Sequence, residues 1–252
     1  MVAVTPDDFR ERFWVRYTSY GFAEKENLAP LVAEELHRAV HSMPMAFVRQ
    51  GDNFLLVGVL SLLPGSNMYV GGDGQWLGSY VPACFRCYPF RLVRAQGRDD
   101  MILCFDEDSG LVSESEGEPF FTEEDKISGQ LEKILEFLGQ VERSRAVMDL
   151  AVSALVEADL LCEWDLKVKD DGGERKISGL FRVDEARLNA LDDDAFLRLR
   201  KTQGLPVAYA QLFSMGNIGV LQKLAGVKEQ LGRQAAVPGL EVTIGDDDMI
   251  KF

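Results

Sequence analysis

A chain of 252 residues with 46% apolar content is long enough to bury a sizeable core. Its 41 acidic against 27 basic residues leave a net charge of −14, which excludes nucleic acid and anionic membrane surfaces as partners, since both require a basic footprint. The longest apolar run, FLLVGVLSLLPG, is cut off by Pro64 and Gly65, and MVAVTPDDFRERF lacks the pattern of a secretory signal, so no membrane insertion and a cytoplasmic location are expected. In a chain of this size Cys84, Cys87, Cys104 and Cys162 read as reduced thiols rather than a disulfide framework.

Residues 1–26 carry Phe13, Trp14, Tyr17, Tyr20 and Phe22 among charges, which marks either a segment packed across the domain or an adhesive surface awaiting a partner. Asn27 reads as an N-cap with Pro30 in the first turn. Leu28, Val32, Leu36, Ala39 and Met43 then recur at helical spacing, which predicts a helix ending near Ser42, before Pro44. MAFVRQ and FLLVGVLSLL follow as strands around the turn QGDN. PGSN and GGDG are further turns, short strands are expected at 68–70 and 88–94, and MILCFDED reads as another. Residues 47–107 are therefore expected to form one antiparallel meander.

The acidic connector DSGLVSESEGEPFFTEE leads to Thr122, which with Asp125 three residues on marks a capped helix start. Ile127, Leu131, Ile134, Leu138 and Val141 predict one long amphipathic helix reaching Ala158. WDLKVK and RKISGLFRV read as a hairpin across DDGGE. Residues 184–203 predict one or two short helices, and 205–234 a further helical region loosened by Gly216 and Gly219. The tail 235–252 is expected to be mobile. Strands that precede helices, without βαβ alternation, predict an α+β single domain over residues 1–252.

Three blocks, WLGSYVPACFRCYPF, LCFDEDSGLVSESEGEPFF and LFRVDEARLNALDDDAFLRLRKTQGLPVAYAQLFSMGNI, follow NLAPLVAEELHRAVHSMPMAFV. In residues and spacing they resemble the SapC family of bacterial proteins over residues 22–221. The resemblance implies a shared fold and a genomic setting near surface-layer genes, outer-membrane nutrient receptors, halogenase-like proteins and cupin-like oxygenases. It implies no catalytic residues, and the missing export signal speaks against an exported surface-layer component.

The Cys84-x-x-Cys87 pair is the most conspicuous chemical motif. A zinc site needs a second pair of ligands, and the other cysteines stand alone. A redox dithiol needs the first Cys at a helix N-terminus; Pro82 permits one and Arg86 would favour a thiolate, but Pro89 ends it within about two turns. The family frame is similar to YVPA-x-x-RRYPF, which Arg86 fits and the cysteines depart from. The favoured reading is two structural thiols, with redox and metal binding as alternatives. His37 and His41, with Glu34, share one helix face opposite the apolar stripe and read as surface histidines rather than a metal pair. The acidic run Asp106-Glu107-Asp108 lacks the spacing of a calcium loop and reads as a solvated connector or a hydrogen-bonding strand end. GGDG and GNIG match neither a P-loop nor a dinucleotide fingerprint, and no Gly-x-Ser-x-Gly elbow occurs.

The reading that results is an accessory protein acting on a protein or peptide partner, with no cofactor, no metal, and a homo-oligomer left open. The alternative is an enzyme, or an enzyme subunit, in a halogenase-like or oxygenase-like pathway. Blocks 76–121 and 180–218 are expected to meet in a groove. There Tyr80, Arg86, Tyr88, Arg91, Tyr209 and Asn217 would face the partner, as aromatic and Arg anchors of interfaces do, while Asp106 and Asp108 orient the arginines.

Overall fold

The QGDN turn closes as expected: Gln50 pairs with Asn53 and Gly51 takes a left-handed φ of 61°. It belongs to a computed structural model that describes residues 1–95, 100–170, 173–231 and 241–244. The first half of the chain forms β1 (Val2–Ala3), α1 (Pro6–Phe9), β2 (Phe13–Trp14), β3 (Leu28–Pro30), α2 (Leu36–Ala39), β4 (Met45–Gln50) and β5 (Asn53–Val59). Then come α3 (Ala83–Arg86), β6 (Phe90–Arg94), β7 (Met101–Phe105), β8 (Val112–Ser113) and β9 (Glu118–Pro119). The second half begins with α4 (Gly129–Glu157), β10 (Leu161–Glu163), β11 (Leu166–Asp170), β12 (Gly173–Ile177) and β13 (Leu180–Val183). It ends with α5 (Glu185–Asn189), α6 (Asp193–Lys201), α7 (Gly204–Ser214), α8 (Ile218–Leu231) and β14 (Glu241–Ile244). Antiparallel sheets with separate helices make this an α+β fold.

The meander expected over 47–107 is two hairpins in two different sheets. Among the described residues the main sheet runs β10-β13-β4-β5-β3, while β6 and β7 pair with β1 elsewhere. Both edges of the β4–β5 hairpin are already taken, by Leu28–Pro30 on one side and Leu180–Val183 on the other. β6 therefore does not extend that hairpin and pairs with β7 instead. WDLKVK and RKI do form the β11–β12 hairpin, but LFRV leaves it as β13 and enters the main sheet.

The helix predicted from Leu28 starts later. Leu28–Pro30 is strand, and helical geometry begins only with the 3-10 turn Ala33–Glu35 and α2. Asn27 does not cap it; its carbonyl accepts Leu60 N–H and Ser61 N–H. The apolar stripe is nonetheless real, since Val32, Leu36, Ala39 and Met43 are all buried. The long helix also starts elsewhere. Ser128 is its N-cap, accepting Leu131 N–H at 3.3 Å. Thr122 and Asp125 instead close a turn in which Asp125 sits at φ 59°.

α4 ties two apolar cores together. At 29 residues it is about 43 Å long. Its first half sends Leu131 and Leu138 into a phenylalanine-rich core with Phe9, Trp14, Phe90, Phe105, Phe120 and Phe121. Its second half sends Met148, Ala151, Val152 and Leu155 into the larger core behind the main sheet. There α7 is pinned to the sheet: buried Gln211 accepts Val183 N–H and donates to the Met45 carbonyl, and Ser214 Oγ accepts Met45 N–H. The N-terminal aromatics are packed across the domain. Phe9 and Trp14 are buried, and Tyr17 makes edge contacts with Tyr20, Phe22 and Tyr88. Of the tail 235–252, only Glu241–Ile244 lies among the described residues, paired antiparallel with β11. No helix among the described residues is long and apolar enough to cross a membrane.

Candidate functional site

At the edge of the larger core lies a buried carboxylate. Glu35, at the start of α2, is only 4% exposed. One carboxylate oxygen accepts Val32 N–H at 2.8 Å; the other accepts Ala83 N–H at 2.8 Å and the Tyr80 hydroxyl at 2.7 Å. Glu35 thereby ties the first turn of α3 to the start of the 3-10 turn that leads into α2. Burial, and then the neighbouring Glu35 charge, hold the Tyr80 phenol well above its ordinary value, so it remains a protonated donor. Arg86 donates to the Tyr80 oxygen at 3.1 Å, and its guanidinium lies 5.6 Å from the Tyr80 ring centre and 4.9 Å from that of Phe137 on α4.

Arg86 stands between two cavities. The smaller, about 200 Å³, is walled by Glu34, Glu35, His37, Arg38 and Tyr80 against Gln140, Val141 and Ser144 of α4. The larger, about 500 Å³, is walled by Trp14, Arg16, Tyr17, Cys87 and Tyr88 against Gln130, Lys133 and Ile134. Arg86 and Phe137 line both. The larger cavity presents Arg16, Arg86 and Lys133 among aromatic walls, and no acidic residue lines it among the described residues. Beside it, the buried indole N–H of Trp14 finds no hydrogen-bond partner among the described residues. A third hollow of about 630 Å³ at α1 is lined by Asp7, Asp8, Glu11 and Glu114 with Arg10 and Arg12, and has no aromatic wall.

The residues singled out in the sequence fall into separate places. Tyr80 and Arg86 belong to the Glu35 network, and Tyr88 lines the larger cavity, stacked on Phe22 at 3.8 Å. Asp106 accepts the Tyr88 hydroxyl at 3.5 Å, so it meets a tyrosine where an arginine was expected. Asp108 is exposed in the 3-10 turn Glu107–Ser109, whose Glu107 pairs with Arg12 at 2.9 Å. Arg91 is exposed on β6, opposite Cys104. Tyr209 sits apart on α7, half-exposed and stacked on Phe213. Asn217 donates to the Val40 and Met43 carbonyls, fastening the α7–α8 turn to the end of α2. Neither cavity is lined by residues 180–218; their second wall is α4.

Glu35, Arg16, Lys133 and Phe137 were not singled out by the sequence. Glu35 had a local signal, a glutamate three residues after Val32 at a helix start, the spacing of a side chain reaching back to the first turn. The other three become neighbours only through α4 and the N-terminal segment. His37 and His41 are both exposed, as their polar face implied. Among the described residues no three His, Cys, Asp or Glu side chains converge as a metal set.

Cys84 and Cys87 lie on and just after the four-residue α3 as free thiols. Burial pushes both up to about 12, with Glu35 adding to the effect at Cys84 and Arg86 opposing it at Cys87. Both sit above the unfolded thiol value near 9, so their contribution to stability is full below about pH 9 and is lost as the pH rises toward 12. The Cys84→Ala, Cys87→Ala variant is therefore expected to show a shallower loss of stability between pH 9 and 12, measured by urea midpoints. The wild-type thiols should also react slowly with a disulfide reagent at pH 7.5. Fast labelling and identical pH slopes would show that burial does not hold the thiols protonated.

The model of the family described as SapC matches residues 5–221. No curated protein matches the chain, and no solved structure does. The matched span takes in the whole of α4 and every lining residue of the two cavities at Arg86, and the chain belongs to the SapC family.

Proposed function

We propose that this SapC-family protein is a binding protein whose partner is a protein or peptide that presents carboxylates to the cavity between Trp14, Tyr88 and α4. The observation that carries this reading is the charge of that cavity. In a chain of net charge −14, its walls gather Arg16, Arg86 and Lys133 and include no acidic residue among those described. Cations held beside aromatic walls suit a carboxylate attached to an apolar body, because the ring faces exclude water from the ion pair. Arg86 is already oriented by Tyr80 and Phe137, so little side-chain entropy is lost on binding.

The test uses arrayed peptides that carry one or two Asp or Glu residues beside aromatic or aliphatic ones, read by fluorescence anisotropy. Retention of acidic peptides and loss of their Asn/Gln counterparts is expected. Arg16 and Lys133 are exposed, so Arg16→Glu and Lys133→Glu should leave circular dichroism unchanged and weaken binding at least tenfold, the effect of losing about 1.4 kcal/mol. Equal binding of neutral peptides, or undiminished binding by both variants, would remove this reading.

A further inference from the structure

We infer that the two cavities are halves of one groove that holds an extended peptide segment about six residues long, acidic in the half that lies against Arg16 and Lys133. This rests on the proposed binding of a carboxylate-bearing partner and adds its length, conformation and polarity. Gln130, Lys133 and Ile134 line the larger cavity, Phe137 lines both, and Gln140, Val141 and Ser144 line the smaller. Their spacings of three, one, three, three, one and three residues trace a single face of α4. The two hollows are therefore collinear along one helix, and Arg86 with Phe137 marks the joint.

The dimensions select the occupant. From Gln130 to Ser144 the helix rises about 21 Å, the span of about six residues of extended chain. An extended chain of that length reaches from the larger half through the smaller one, whose volume is about 200 Å³, so the ligand passes through that half as a single strand. Ile134 and Val141 give the two halves an apolar floor, the exposed Arg86 lying over the Phe137 ring forms the saddle the ligand crosses between them, and Lys133 and Gln140 are exposed beside it. Such a strip suits a strand whose side chains alternate between floor and solvent.

Charge sets the polarity. Among the described residues the charged groups that line the larger half are all cations, whereas the smaller sets Glu34 and Glu35 beside His37 and Arg38 and has no excess of positive charge to offer a carboxylate. At the joint Arg86 gives one donor to Tyr80 and keeps the rest of its fork for the ligand. Acidic residues of the ligand thus belong in the larger half and at the joint, and neutral residues in the smaller.

The experiment uses acetylated and amidated peptide libraries of three, six and eight residues, with Asp-Glu fixed at one end or the other so that side chains supply the only carboxylates. Affinity for the full-length protein is expected to rise at least tenfold from three residues to six and to change little from six to eight. Gln140 is exposed, and Gln140→Trp fills the smaller half; it should abolish the gain from three to six while leaving three-residue binding intact. Acid-dependent binding with no dependence on length would overturn the continuous groove and leave the carboxylate-binding reading standing. Absence of binding at every length would overturn both.

Discussion

Replacing Glu35 with alanine is expected to cost on the order of 3–5 kcal/mol of unfolding free energy. The carboxylate is 4% exposed and accepts three hydrogen bonds, from Val32 N–H, Ala83 N–H and the Tyr80 hydroxyl. Alanine would strand all three donors where water has little access, and each stranded buried donor costs about 1–3 kcal/mol. Glu35→Gln keeps one acceptor oxygen and should lose about half as much. The measurement is the urea midpoint at neutral pH, with an unchanged slope as evidence that the unfolded state is unaffected. An unmoved midpoint for Glu35→Ala would show that the carboxylate organises nothing. Because Tyr80 positions Arg86, the variant should also weaken acidic peptides more than tenfold at temperatures where it remains folded.

Phe105→Ala carries an effect of similar size by a different cause. Phe105 is fully buried, with ring centres 6.0 Å from Phe9, 5.0 Å from Phe90 and 5.3 Å from Phe120. Truncating it leaves a hole among rings that cannot collapse together, since Phe9 is held by α1, Phe90 by β6 and Phe120 by the segment after β9. A loss of about 3–5 kcal/mol is expected from calorimetry or urea titration. The transition should remain single, because α4 contributes to both cores and neither can lose it alone. Two separated transitions would show instead that the phenylalanine core unfolds as its own unit.

Much of the local structure was legible in the residues. Leu131, Ile134 and Leu138 announced the long helix, and alternation about QGDN announced the β4–β5 hairpin, because both signals are periodicities that a short window contains. Boundaries were less legible. Leu28 lies on the helical stripe yet becomes strand together with Ala29, since the edge of β5 offered them backbone partners that a helix could not improve on. The cap at Ser128 won over Thr122 because Thr122 and Asp125 spend their bonds on a turn.

The amino-acid sequence by itself determined the α+β class, the family, the net charge of −14, and the long helix that became the spine of the molecule. It also contained Tyr80, Arg86 and Tyr88 within one block. Only the tertiary structure decided that Arg16 and Lys133 join Arg86, that Glu35 rather than Glu34 is buried, and that Tyr209 and Asn217 stand elsewhere. The physical reason is distance along the chain. Periodicity and capping act over a few residues, whereas the site unites residues near 15, 35, 86 and 137. Those meet because two apolar cores are each buried against α4, which brings the N-terminal segment, the start of α2 and α3 against one face of that helix.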